Sequence, residues 1–253
     1  MIFDSYFDRQ FELRYFEMNN KGLARPTTIL ALLEETAADH SHFIGHSLFD
    51  LLEKNVGWVL VSGVLQMNRY PNYKEKITIR TWLSHYSFIK GYRENIIYDE
   101  NNNIIGSAKG LWVFFDIDKR KPIPIFNEIK EKWSLLNKHA INRNIKQKII
   151  AVESPHHTKQ FRVNHYDTDS NKHVNNIRYL QWVIESIPEE VTDNYFLHEI
   201  DGRFIAEAKF GDTILSLTQE LETKNSFAHT IKITEAIPFV LLQRQFGSRI
   251  NNY

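Results

Sequence analysis

The run Asp169-Ser-Asn-Lys-His-Val-Asn-Asn-Ile-Arg-Tyr-Leu-Gln-Trp-Val-Ile-Glu-Ser-Ile-Pro188 joins two kinds of sequence. Its polar head, extended back to Asp167, sets two carboxylates, three carboxamides and an imidazole within the ten residues Asp167 to Asn176. Its tail spaces Ile177, Leu180, Ile184 and Ile187 at helical period and stops at Pro188, which predicts a helix from Val174 to Ile187. Side chains able to move protons or hold a polar group therefore stand where a helix begins. Backbone N–H groups at such a start, here those of Val174 and Asn175, favour developing negative charge, which suits attack on a carbonyl. Helix capping explains part of the same composition, since Asp, Asn and Ser are the usual N-cap residues. A calcium loop is excluded: its sixth position would need Gly and holds Lys172, and its twelfth would need Glu and holds Arg178. No metal is expected, because His173 has no second His or Cys at ligand spacing and His156-His157 are adjacent residues in a loop-like stretch.

The rest of the chain separates chemistry from capping. Laying Phe11 on Phe161, a shift of 150 residues, brings Phe16 onto Tyr166, Glu17 onto Asp167, Leu30 onto Leu180 and Leu33 onto Val183. Both copies read as a short strand, a polar loop and an amphipathic helix, the first helix running from about Thr27 to Ile44. Further on, Lys74-Glu-Lys-Ile matches Gly211-Asp-Thr-Ile at a shift of 137, so the first copy holds 13 extra residues between its helix and its later strands. This is an internal duplication. Where the second copy has Asp169, Asn171 and His173, the first has Asn19, Lys21 and Leu23. Glu207, in a stretch that otherwise reads as strand from Gly202 to Ala208, falls on Tyr70. Only one copy is equipped for chemistry.

Net charge is zero, with 31 residues of each sign, so there is no basic excess to displace the counterions of a nucleic acid. Cysteine is absent, which excludes disulfides, thiolate metal sites and a thiol nucleophile. The N-terminal residues lack the basic-then-apolar pattern of a signal peptide, and the longest apolar run, around Trp58 to Leu65, is too short for a membrane span. A soluble, cytoplasmic protein is expected.

After the first helix, strands are predicted at Gly57–Met67, Lys76–Trp82, Tyr92–Tyr98 and Ile104–Phe115. The character changes from Lys119 to about Ser154, with Pro122, Pro124, dense charge and Asn-rich tracts, and residues 126–154 read as an inter-domain linker with a short helix near Glu128–Leu136. Strands recur near Gln160–His165, Thr213–Glu222, Ala228–Thr234 and Phe239–Phe246. One helix with several antiparallel strands in each half means α+β, each sheet wrapped around its helix to bury the apolar stripe. There is no nucleophile elbow, phosphate loop or dinucleotide fingerprint, so no cofactor is implied. A site of Asp, Asn, His and Glu with water as nucleophile remains.

The chain resembles the acyl-acyl carrier protein thioesterases (acyl-ACP thioesterases), a family of tandem hot-dog hydrolases. The likeness rests on Arg14-Tyr-Phe-Glu, Leu33-Glu-Glu-Thr-Ala-Ala-Asp-His, Val56-Gly-Trp-Val-Leu, Arg69-Tyr-Pro and Thr81-Trp in the first half, and on the opening run in the second. It implies two hot-dog units, residues 1–125 supplying pocket and carrier surface and residues 155–253 carrying the chemistry. It also implies hydrolysis of the thioester of fatty acyl-acyl carrier protein to free fatty acid. Its catalytic Asp, Asn, His and Glu fall on Asp169, Asn171, His173 and Glu207; its Cys position is Ala208, so a cysteine nucleophile is excluded. The expected roles are Glu207 as base on water with His173 assisting, Asn171 and the helix-start N–H groups polarising the carbonyl, and Asp169 holding the group and capping the helix. On sequence alone, Glu207 and His173 are interchangeable. The implied partner is acyl carrier protein bearing its fatty acyl-phosphopantetheine, and a homodimer is admitted. The alternatives are an acyl-CoA thioesterase and a non-catalytic acyl-binding hot-dog module.

Overall fold

Pro26 opens the first long helix, α1 (Pro26–Phe43), where its missing N–H is no loss and its fixed φ suits the first turn. Ile29, Leu32, Leu33, Thr36 and His40 follow at helical spacing and are all buried. The helix ends at Gly45, whose φ of 78° is left-handed; the N–H of the next residue, His46, returns to the Ser41 carbonyl at 2.9 Å. The computed structural model describes residues 6–169, 173–233 and 238–249. It divides into two units, Met1–Ile145 and Lys146–Tyr253.

In the first unit, α1 packs on a sheet of β1 (Phe7–Glu12), β2 (Val56–Met67), β3 (Lys76–Tyr86), β4 (Lys90–Tyr98) and β5 (Ile104–Asp116), with a short helix α2 (Leu48–Glu53) before β2. Spatial order is β1-β3-β4-β5-β2, every pairing antiparallel, with a two-residue β6 (Lys121–Pro122) beside β5. After helix α3 (Asn127–Lys132), the second unit repeats the plan with β7 (His157–Arg162), α4 (Asn176–Ile184), a short α5 (Glu189–Asn194), β8 (Tyr195–Phe204), β9 (Thr213–Glu220), β10 (Ser226–Ile233) and β11 (Pro238–Arg249). Its order, β7-β9-β10-β11-β8, is that of the first unit strand for strand, and α4 packs on β9 and β10. The fold is α+β, with two units each built as an antiparallel sheet around a helix.

Three differences from the sequence reading are the largest in consequence. Helix α4 has 9 residues against 18 in α1, because it starts only at Asn176 and ends in turns at Glu185–Ile187 before Pro188. Strand β8 ends at Phe204, four residues short of Ala208. Residues 126–145 are not a free linker. Ile129 packs with Leu51, Val56, Phe114 and Ile125, and Ile141 and Ile145 pack with Val64 and Leu111. Polar ties reinforce this: Trp82 Nε1 donates to the Lys138 carbonyl at 3.0 Å, and the buried Glu94 carboxylate accepts from the Ala140 N–H at 3.1 Å. Beyond α3, a sheet face that must be covered draws in a stretch with no helical or strand period to betray it.

Each unit buries an Arg–His–Thr group. In the first, Arg93 reaches His40 Nδ1 and Thr81 Oγ1, both at 3.1 Å; in the second, His229 meets Thr218 Oγ1 at 2.9 Å and Arg244 at 3.3 Å. Burial, with the Arg93 guanidinium adding to it, pushes His40 from 6.5 down to about 3, and burial and Arg244 push His229 well below its ordinary range. Between pH 6.5 and 3 the unfolded chain therefore binds a proton that native His40 does not, and His229 acts in the same direction, so stability is full above 6.5 and falls as pH drops below it. Each histidine contributes a slope of up to about 1.4 kcal/mol per pH unit. Denaturant titrations at pH 7.5, 6 and 5 should show this loss, and His40→Gln should shrink it. A stability flat between pH 7.5 and 5 contradicts the assignment.

Candidate active site

The polar head of the opening run lies between β7 and α4 and is held by backbone bonds that recur in the first unit. A 3-10 turn comes first, His165–Asp167 here and Tyr15–Glu17 there. The Asp169 N–H then donates to the His173 carbonyl at 2.8 Å, as Asn19 does to Leu23 at 2.8 Å. The Val174 N–H donates to the Ala208 carbonyl at 3.1 Å, as Ala24 does to Pro71 at 2.9 Å. The Asn175 N–H donates to the Asp167 carbonyl, as Arg25 does to Glu17, both at 3.0 Å. Bridges pair His173 with Lys209 and Leu23 with Asn72. At their described residues the two loops make the same bonds, in the register that the shifts of 150 and 137 assign.

That stitching brings the chemistry together. His173 stands opposite Lys209, so Glu207, two residues along, is its diagonal neighbour on the same side. His173 Nδ1 and Glu207 Oε2 are in direct contact, and the side chains are 21% and 35% exposed, sheltered yet reachable. The first unit holds Leu23 and the buried Tyr70 at these places. Glu207 is a loop residue rather than a strand residue, and Ile205 and Phe210, both more than half exposed, flank it with apolar surface. Asn171 lies outside the described residues.

Three roles expected from sequence change. Asp169 does not cap the helix: Asn175 does, its Oδ1 accepting from the Ile177 N–H at 2.8 Å. Asp169 instead closes the loop through Oδ1 on the His173 N–H at 3.4 Å. Asn19 does the same in the first unit, its Oδ1 accepting from Leu23 at 3.1 Å and Lys21 at 2.9 Å. The N–H groups of Val174 and Asn175 are engaged in the loop bonds, so neither remains as an oxyanion donor. Sequence reasoning also missed Tyr179, whose buried hydroxyl accepts from the Ala208 N–H at 2.8 Å. The signal was present as the mismatch of Tyr179 with Ile29 at the shift of 150.

Comparison with known proteins follows the same two-part division. The acyl-ACP thioesterase N-terminal domain matches residues 4–133, and the acyl-ACP thioesterase C-terminal domain matches residues 151–242. The chain belongs to the acyl-ACP thioesterase family. A chloroplastic oleoyl-acyl carrier protein thioesterase of Coriandrum sativum is 27% identical over 228 residues, 84% of this chain; the chain spans only 62% of that relative's length. Among solved structures, the 12:0-ACP thioesterase of Umbellularia californica has a TM-score of 0.85 at 16% identity, covering 98% of this chain and 99% of its own. A putative oleoyl thioesterase of Lactobacillus plantarum has a TM-score of 0.87 at 24% identity, covering 98% of each. These likenesses place the whole chain in the family's double hot-dog fold. Among the described residues, no helix is long and apolar enough to cross a membrane, and no group of three or more His, Cys, Asp or Glu is arranged to hold a metal.

The shared loop closure of this family member makes a stability prediction. Asp169→Asn should leave the melting temperature within about 2 °C of wild type, because Asn19 already closes the matching loop. Asp169→Ala should lose about 1 kcal/mol, in the range of other lost side chain-to-backbone caps. Thermal melts of the two variants decide it, and equal losses would remove the closure role.

Proposed function

We propose that the protein hydrolyses fatty acyl-acyl carrier protein to free fatty acid and carrier thiol, with His173 and Glu207 acting as one unit on water. The observation that carries this reading is the contact of His173 Nδ1 with Glu207 Oε2 in a chain of the acyl-ACP thioesterase family. A carboxylate at Nδ1 holds the proton on that nitrogen, so the basic lone pair of the ring is the one on Nε2. Nε2 takes a proton from water as the water oxygen attacks the thioester carbon, and Glu207 stabilises the imidazolium that forms. When the tetrahedral intermediate collapses, the C–S bond breaks and the proton passes from Nε2 to the departing thiolate. This ordering exchanges the roles expected from sequence; the engagement of Glu207 Oε2 with the ring supports it. With the Val174 and Asn175 amides engaged, polarising the carbonyl falls to the Asn171 carboxamide. The exposed Ile205 and Phe210 offer apolar surface beside the dyad for the pantetheine arm and the head of the acyl chain. The first unit, with Leu23 and Tyr70 in place of the dyad, serves binding rather than chemistry.

Purified protein should release fatty acid from palmitoyl- and oleoyl-carrier thioesters faster than from the matching acyl-CoA. His173→Ala and Glu207→Ala should each lower kcat by about 10²–10⁴, and the double variant should be little worse than the poorer single one, because the two act together. Tyr70→Phe and Lys21→Ala, at matching places in the first unit, should keep kcat within about twofold, since interactions confined to the transition state are lost only where charge develops. Additive losses at 173 and 207 would separate their roles. A folded wild type without turnover on any chain length would leave an acyl-binding module.

The carrier is acidic, so its docking should depend on exposed cations near the site, Lys209 among them. KM for the carrier substrate should rise from low to physiological salt, and Lys209→Glu should raise it further with kcat little changed. A KM indifferent to salt rejects electrostatic docking.

A further inference from the structure

Glu207 belongs to no strand ladder, since β8 ends at Phe204 and β9 begins at Thr213. Its segment is anchored at Ala208, whose carbonyl accepts from the Val174 N–H at 3.1 Å and whose N–H donates to Tyr179 Oη at 2.8 Å. Tyr179 is four residues beyond the N-cap Asn175, on the same face of α4, and is 1% exposed.

The first unit solves the same packing problem differently. Its matching residues are Ile29, fully buried, and Pro71, whose carbonyl accepts from the Ala24 N–H just as that of Ala208 accepts from Val174. Proline has no N–H to satisfy, so an apolar neighbour suffices there. A buried alanine N–H does need an acceptor, and Tyr179 supplies one. Both pairings fold within one chain, so folding alone did not require the hydroxyl. The tyrosine occurs in the unit that carries the His–Glu contact.

We propose that Tyr179 is a positioning residue for Glu207: its hydroxyl fixes the Ala208 amide and, one residue away, the carboxylate that engages His173. The inference rests on the thioester hydrolysis proposed above. Burial first, and then the charges of Glu207, Asp212 and Asp169, push the Tyr179 phenol up to about 12, so it stays a neutral hydroxyl among the carboxylates of the site. Releasing the Ala208 amide lets the segment shift, and a displacement of about 1 Å at a reacting group can lower the rate by about 10².

The test is Tyr179→Phe in the full chain, with the hydrogen exchange of the Ala208 amide followed alongside turnover of a palmitoyl-carrier thioester. The expected result is faster Ala208 exchange and a kcat lowered by about 10- to 100-fold, with KM within about twofold and the melt little changed. Ser186→Ala is the control, since it removes a buried hydroxyl bound to the Trp182 carbonyl at 2.7 Å at the other end of the same helix. Its kcat should equal that of wild type. Tyr179→Ile with Ala208→Pro transplants the first unit's pairing and should fold yet remain slow. Wild-type kcat in Tyr179→Phe or in the transplant, or a loss matched by Ser186→Ala, overturns the proposal. A wild type without turnover instead removes the hydrolase reading, and the positioning role with it, whereas the Ala208 exchange still reports whether the bond exists.

Discussion

One hydrogen bond, from the Val174 N–H to the Ala208 carbonyl, ties the loop before α4 to the segment after β8, and the placement of the site depends on it. Without it the His173–Lys209 bridge loses its neighbour, and Glu207 has no reason to stand diagonal to the imidazole. Such a bond is indifferent to side chains, because it uses only backbone groups that must be paired when buried. The first unit makes it with Ala24 and Pro71, between quite different residues. The scaffold is therefore free of the chemistry. Positions 173 and 207 can hold a His–Glu pair in one copy while their counterparts hold Leu23 and Tyr70 in the other.

The same economy explains where the sequence was legible. Few identities support the duplication, yet its register is right bond for bond, because Phe16 with Tyr166 and Lys74 with Gly211 mark the turns that fix the chain path. Lys74 and Gly211 even share a left-handed φ, 68° and 89°. His173 and Glu207, which the structure brings into contact, drew notice in the sequence because the matched copy lacks them. The helix cap was not: Asp169, Asn171, Asn175 and Asn176 all qualify by type, and choosing Asn175 takes the actual path of the backbone. The end of β8 was hidden for a similar reason. Phe-Ile-Ala-Glu-Ala reads as strand, but the Ala208 amide turns to Tyr179 and its carbonyl to Val174, leaving no ladder to continue. Ile141 and Ile145 escaped notice because an extended strap over a sheet has no period to detect.

The buried polar groups away from the site follow a different logic. Thr81 and Thr218 are matched at the shift of 137, and each helps hold an Arg–His pair in its own unit. The partners arrive from different elements: His40 on α1 with Arg93 on β4 in the first unit, His229 on β10 with Arg244 on β11 in the second. A neutral imidazole accepts from a guanidinium, so burial that strips the histidine of its proton also gives the arginine an acceptor. The arrangement is tolerable near neutral pH and becomes a liability in acid, when that acceptor is titrated.

The dyad is placed with the opposite aim. His173 and Glu207 keep a fifth to a third of their side-chain surface exposed, and the residues that hold them, Tyr179 and Ala208, are buried beneath. A group that must exchange protons with water cannot be sealed in, and a group that must not move cannot be left on an unsupported loop. Dividing the two demands between layers meets both. On the proposed reading the loop carries the reactive atoms, while the first turns of α4 carry the rigidity through a hydroxyl and a cap. In the first unit, on the same reading, no proton has to move at the matching places. There the chain does without the hydroxyl, closing the segment with a proline that has no amide hydrogen and an isoleucine that asks for none.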